Sequence, residues 1–215
     1  MKDILDELTA TDRRVTRRTS DGTEEIAILL RRRYAASVQD VWDAVTDPER
    51  MRRWFLPVSG DLRVGGTFQL EGNAGGDILL CEPPSSLTVT WGAPESLVHL
   101  RLAGEGEDAT VLELEHTVPL AFAGSGAGAL YVGPGWDISV LGLANFLEGT
   151  VVGDPSAWEN TLEGQRFAAQ TIAAWVEAIG SGHTATAEEI GAAEQMSRAQ
   201  FTPDLLPDAG ESDPG

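Results

Sequence analysis

The hydrophobic period of the chain changes in a fixed order, and that order leaves few folds open. Ile26, Ile28 and Leu30 alternate as one face of a strand. At Ser37 the period lengthens: Ser37 can cap a helix with Asp40 at its third position, and Val38, Val41, Trp42 and Val45 then fall on one stripe. Asp47-Pro48-Glu49 repeats the start signal, Met51, Trp54 and Phe55 supply an apolar face, and Pro57 ends the segment. The period then returns to two. Thr67–Glu71, Asp77–Cys81, Leu87–Trp91, Leu97–Ala103 and Thr110–Val118 read as strands separated by Gly, Pro and acidic turns. Five or six strands in meander order with no intervening helix predict an antiparallel sheet.

A glycine-rich stretch, Gly124–Gly135, precedes a helix expected from Trp136 to about Glu148. That helix is apolar on nearly every side, so it must be buried on two of them. The sheet can cover one. Ser156–Glu159 reads as a capping box opening a long amphipathic segment, with Trp158, Leu162, Ala169, Ile172, Val176 and Ile179 in helical phase, and Thr186–Glu189 opens another. These C-terminal helices are expected to cover the other side. The glycine-rich stretch itself reads as a mobile loop, a candidate lid.

Four segments result: a basic N-terminal segment (1–23), a sheet-and-helix domain (24–150), a helical extension (151–201) and a disordered acidic tail (202–215). Residues 1–33 hold Lys2, Arg13, Arg14, Arg17, Arg18, Arg31, Arg32 and Arg33, while residues 154–215 carry an excess of acids. The two ends could attract each other, although charge blocks are usually solvated faces. Over 215 residues, 15 Lys and Arg stand against 34 Asp and Glu, a net charge of −19. A surface of that sign repels nucleic acid and anionic membranes. Cys81 is the only cysteine, so no internal disulfide forms. Without an apolar leader or a spanning run, the chain is expected to be soluble and cytoplasmic.

Few residues carry chemistry. His116 shares strand parity with Leu112 and Leu114, so its imidazole should point inward, as a ligand handle, a proton-transfer group or a satisfied core histidine. His99 lies between Leu97 and Arg101 in parity and can face either way, and His183 sits between helices. Glu113 and Glu115 alternate outward. Cys81, with Leu79 as parity mate, reads as a small buried hydrophobe. The histidines and the cysteine have no metal-ligand spacing, so neither a metal nor a cofactor is expected. No nucleophile elbow occurs, and the only lysine, Lys2, has no phosphate-loop context.

The order of elements resembles the helix-grip fold of the START and birch-pollen-allergen superfamily, often called SRPBCC: an α+β fold whose curved antiparallel sheet wraps a long C-terminal helix. Particular motifs resemble its heat-shock-protein-90 ATPase activator homologue-like branch. They are Ala36-Ser37, Val41-Trp42-Asp43-Ala44, Thr46-Asp47-Pro48-Glu49 with Trp54, Asp61-Leu62-Arg63-Val64-Gly65-Gly66 with Phe68, Glu82-Pro83-Pro84, Thr90-Trp91, and Gly135-Trp136. Together they span residues 24 to 150. The resemblance implies an apolar cavity between sheet and helix. Carried onto this chain, its wall is Phe68, Leu70, Trp91, Leu114 and His116 from the strands, with Trp136, Val140, Leu143 and Phe146 from the helix. Three readings follow: a non-enzymatic binder of a small hydrophobic or amphiphilic molecule, a monomer or homodimer; a regulator touching a chaperone ATPase; or a polyketide cyclase or dehydratase using His116 or another inward acid/base. The extension after residue 150 departs from the family pattern and bears on whether the cavity is open.

Overall fold

The computed structural model describes residues 4–150 and 155–205. A short helix α1 (Ile4–Thr9) leads into β1 (Thr11–Ser20), which reverses through Asp21-Gly22 into β2 (Thr23–Tyr34). Both turn residues have positive φ, 50° and 81°, as a tight two-residue hairpin requires and as Asp-Gly readily supplies. The basic N-terminal segment is therefore not separate from the domain: from Thr11 to Ser20 it pairs antiparallel with β2. Strand alternation is hidden here because two positions on the inward parity, Arg13 and Arg17, are arginines. Arg13 Nη2 lies 2.6 Å from Asp137 Oδ1, and its Nε also donates to both carboxylate oxygens.

Helices α2 (Val38–Thr46) and α3 (Pro48–Met51) follow, capped as their sequences predict. Ser37 Oγ accepts from the Asp40 amide at 3.2 Å, and Asp47 Oδ1 accepts from the Glu49 and Arg50 amides. Then come β3 (Val58–Gly60), β4 (Thr67–Leu70), β5 (Gly75–Glu82), β6 (Ser86–Trp91), β7 (Ala93–Gly104) and β8 (Thr110–Pro119). All eight strands form one antiparallel sheet in the order β1-β2-β8-β7-β6-β5-β4-β3. β1 and β3 are the two strands that the apolar pattern does not reveal. Across the inner face run two rows, Leu30–Leu114–Leu100–Leu87 and Ile28–His116–Val98–Val89.

The outer face is charged. Arg18 bridges Glu25 and Glu115, and Arg31 reaches Glu113, while Arg17 and Glu24 pair on the other parity at the exposed end of the β1–β2 hairpin. The N-terminal arginines thus pair mostly with acids of adjacent strands, rather than with the acidic C-terminal segment. Such exposed pairs contribute about 0–1 kcal/mol each.

After β8 come α4 (Leu120–Ala123), a 3-10 segment (Gly126–Tyr131), α5 (Gly133–Leu147), α6 (Pro155–Glu159), α7 (Leu162–Gly182), α8 (Ala187–Phe201) and a 3-10 segment (Pro203–Leu205). The glycine-rich stretch is not a lid. Ala127, Ala129 and Leu130 are buried in it, Ser197 Oγ donates to the Leu130 carbonyl at 2.7 Å, and a Cβ on Gly126 would meet Thr184 Oγ1 at 2.0 Å. Small residues there let α7 and α8 approach.

As expected, a C-terminal helix covers the second side of α5. Trp175 of α7 lies so close to Gly133 that a Cβ there would stand 2.5 Å from its Cε2. The Trp175 indole donates to Asp137 Oδ2 at 2.7 Å, completing a buried Arg13–Asp137–Trp175 cluster. Helix α7 takes its cap from Thr161, whose Oγ1 accepts from Gly164; the Ser156 side chain lies outside the described residues. Helix α8 carries the expected Thr186–Glu189 capping box. Of the segment read as a tail, Thr202 is buried and Asp204 exchanges hydrogen bonds with Gln165, while 206–215 lie outside the described residues.

Candidate functional site

Curvature of the sheet under α5 leaves a chamber of about 190 Å³ between them. Of the residues expected to wall it, Phe68, Leu70, Trp91, Leu114, Trp136, Val140 and Leu143 do so. Leu87, Val89, Val98, Leu100 and Leu112 extend the wall along the inward rows, and Met51, Trp54 and Phe55 close it from α3 and the turn behind it. An apolar cavity near 150 Å³ accepts benzene, and drug-sized sites begin near roughly 300 Å³, so one ring or two fused rings match this volume.

A second, larger space of about 960 Å³ lies on the other side of an aromatic partition. Trp54, Phe55, Trp91, Trp136 and Ser139 line both spaces. Trp91 and Trp136 are tilted at 4.8 Å between centroids, Phe68 adjoins Trp91 at 5.9 Å, and Trp54 stacks on Phe55 at 5.4 Å. The outer cleft is mixed in character: Arg52, Arg53, Asn145 and Phe146 meet Trp158, Gln165, Gln200 and Phe201 of the extension.

Hydrogen bonds fix two of the partition rings. Trp54 Nε1 donates to the Ala44 carbonyl at 2.9 Å. Trp136 Nε1 donates to His116 Nδ1 at 3.2 Å, which assigns the imidazole proton to Nε2, where Ser96 Oγ lies at 2.8 Å. His116 is inward, as its parity implies, but it lines neither space; it stands behind Trp136, edge-on at 5.9 Å. Burial pushes its pKa down to about 4, so at neutral pH it is an uncharged acceptor.

This arrangement gives a pH dependence with a definite sign. The unfolded chain binds a proton at His116 near pH 6.5 and the folded chain only near 4, so stability falls as pH drops through that window, by on the order of 3 kcal/mol. His116→Gln should flatten the slope of stability between those pH values, measured by urea unfolding. An unchanged slope would place the titration elsewhere.

The remaining candidates fall away from the chamber. Phe146 lines the outer cleft, with the guanidinium groups of Arg50 and Arg53 over its ring at 5.4 Å and 5.1 Å from the centroid. His99 Nδ1 meets Thr88 Oγ1 at 3.0 Å outside the chamber wall, and His183 is the left-handed C-cap of α7. Cys81 lines the chamber although Leu79, its parity mate, is exposed. The register slips between Ile78 and Leu80, which turns Ile78 and Cys81 to the same side. Among the described residues no group of three or more His, Cys, Asp or Glu could hold a metal ion, and no helix is long and apolar enough to cross a membrane.

The parity shared by Leu87, Val89 and Trp91 already marked two additional wall positions. For Trp54 and Phe55 the apolar face of α3 was visible, but nothing in it distinguished packing from partition.

Residues 35–148, just over half of the chain, match the family described as activator of Hsp90 ATPase homolog 1-like protein. CalU16 from Micromonospora echinospora is similar over a longer stretch. Its crystal structure is 41% identical, covering 80% of this chain and 99% of that one with a TM-score of 0.65. The solution structure of the same protein gives 42%, 80%, 97% and 0.67. DynU16, a protein in the dynemicin biosynthetic locus, is 28% identical over 60% of this chain and 49% of its own, with a TM-score of 0.52. A conserved protein from Enterococcus faecalis, EF2215, shares the fold at 16% identity, covering 81% of this chain and 95% of its own, with a TM-score of 0.59. No curated protein matches the chain.

Proposed function

The chain belongs to the activator of Hsp90 ATPase homolog 1-like family, and from that premise we propose that it is a non-enzymatic binding protein for a small hydrophobic or amphiphilic molecule held between sheet and helix. One observation carries this reading: the sheet and α5 do not close on each other, and the space left between them is walled almost wholly by aliphatic and aromatic side chains. Phe68, Leu70, Trp91, Leu114, Trp136, Val140 and Leu143 are its proposed contacts.

An acid/base role for His116, as a cyclase or dehydratase would need, draws no support from the geometry. Both ring nitrogens are engaged by protein groups, and Trp136 stands between the imidazole and the chamber. Contact with a chaperone rests on the family description alone.

The test uses naphthylethanol, a fused two-ring probe with a neutral end. Quenching of tryptophan fluorescence should follow a saturable isotherm, because Trp54, Trp91 and Trp136 border the chamber. At a hundredfold excess over Kd the protein should gain about 2.7 kcal/mol of stability. Cys81→Phe directs a ring into the chamber from its wall and should weaken binding at least about tenfold, with the circular dichroism spectrum unchanged. Absence of quenching and of stabilisation by any mono- or bicyclic probe would remove the binding role.

A further inference from the structure

Four arginines stand beside the chamber and the cleft, and three of them are already neutralised. Arg63 pairs with Asp61 at 2.8 Å, Arg52 with Glu49 at 2.6 Å, and Arg50 with Asp40 at 3.2 Å. Arg53 has no carboxylate partner among the described residues, although acids outnumber bases 34 to 15 in this chain. Its guanidinium carbon stands over the Phe146 ring, 5.1 Å from the centroid, which holds at the cleft a cation whose N–H groups suit a carboxylate. It lines the outer cleft and immediately precedes Trp54, one of the residues shared by both spaces.

We propose that the ligand is an organic anion with a compact ring system: the rings occupy the inner chamber, the chain joining them to the acid passes the Trp54–Phe55 partition, and a carboxylate or similar group docks on Arg53. This inference rests on the binding role proposed above and specifies the class of ligand. Two properties of the partition support the path. Trp54 and Trp136 are tethered by hydrogen bonds, whereas Phe55 lies outside any helix or strand, in the turn after α3, and no polar group ties its ring. Displacing Phe55 therefore breaks stacking with Trp54 but no hydrogen bond. The cleft that receives the charged end is partly built from Trp158, Gln165 and Phe201, which lie beyond the segment matched by the family. The extension would thus create the polar half of the site.

Net charge sharpens the test. At −19 the protein as a whole repels an anion, and Glu71 and Glu159 line the cleft beside Arg53, so an acid binds better than its neutral counterpart only where local donors outweigh that field. Naphthylacetic acid and naphthylethanol share the ring and nearly the same length. In 50 mM salt the acid is expected to bind the wild-type protein about tenfold or more tighter, with the gap narrowing in 500 mM salt, conditions that shorten the screening length from roughly 14 to 4 Å. Arg53→Gln should remove the preference by weakening the acid while leaving the alcohol unchanged, and Arg53→Lys should restore part of it. Equal or tighter binding of the alcohol by the wild type, or a preference for the acid that survives Arg53→Gln, would overturn the assignment of the anion to Arg53 while leaving the chamber's binding role intact. Failure of both probes to bind would overturn both.

Discussion

Arg13→Met should lower the stability of the folded chain by about 3–5 kcal/mol, the range expected when one member of a buried ion pair is removed. Asp137 is 1% exposed, and in the variant its carboxylate would keep one described side-chain donor, the Trp175 indole. For a domain of this size each kcal/mol moves the midpoint by about 2–4 °C, so the melting temperature should fall by roughly 6–20 °C. Burial raises the Asp137 pKa and Arg13 opposes that rise. Without Arg13 the carboxyl binds its proton more tightly in the folded than in the unfolded chain. The loss should therefore be greatest at neutral pH and shrink as the solution is acidified through the raised folded value. Replacing both partners, Arg13→Met with Asp137→Leu, should recover much of the loss, because no charge then remains buried. A loss below 1 kcal/mol for the single variant, measured by urea unfolding, would show that this pair does not tie β1 to α5.

Deletion of residues 154–215 should have a larger effect still. It removes α7, and with it Phe167, Ile172, Trp175 and Ile179, each no more than 2% exposed. At about 1.5–3 kcal/mol for each such side chain, the loss of roughly 6–12 kcal/mol is comparable with the whole stability of a typical domain. The face of α5 around Gly133 and the inner side of β1 would be bared to water. The truncated chain is expected to aggregate, or to dimerise through that face, on size-exclusion chromatography. A soluble monomer melting at the wild-type temperature would mean that the extension is an appendage and not the second wall of the core.

The two predictions share a cause. α5 has no polar face, so it is stable only between two covers, and the Arg13–Asp137–Trp175 cluster joins strand, helix and extension at one point. The same placement bears on the proposed binding role. One side of α5 is closed by α7, and its sheet-facing residues Val140 and Leu143 are left to border the chamber.

Much of this architecture was legible in the chain, because apolar period and capping residues report local geometry. Ser37, Asp47 and Thr186 cap the helices they announce, and alternation locates six of the eight strands. Of the nine wall residues that the family resemblance implies, seven line the chamber; strand parity accounts for Phe68, Leu70, Trp91 and Leu114, while Trp136, Val140 and Leu143 lie on α5. The Asp21-Gly22 turn was a further local signal, and it belonged to the hairpin that brings β1 into the sheet.

Periodicity records that one side of an element is buried, but not what buries it. Arg13 in β1 and Asp137 in α5 are 124 residues apart, so only the folded chain shows that a charged strand position is an inward one. The register slip that turns Cys81 into the chamber, the placing of His116 behind Trp136, and the contact of Phe146 with Arg50 and Arg53 are likewise decided by neighbours distant in sequence. The chamber itself is a distance between surfaces. Side-chain identities could establish that its walls are apolar, whereas its volume and its partition from the cleft depend on how far the sheet curves away from α5, which only the tertiary structure decides.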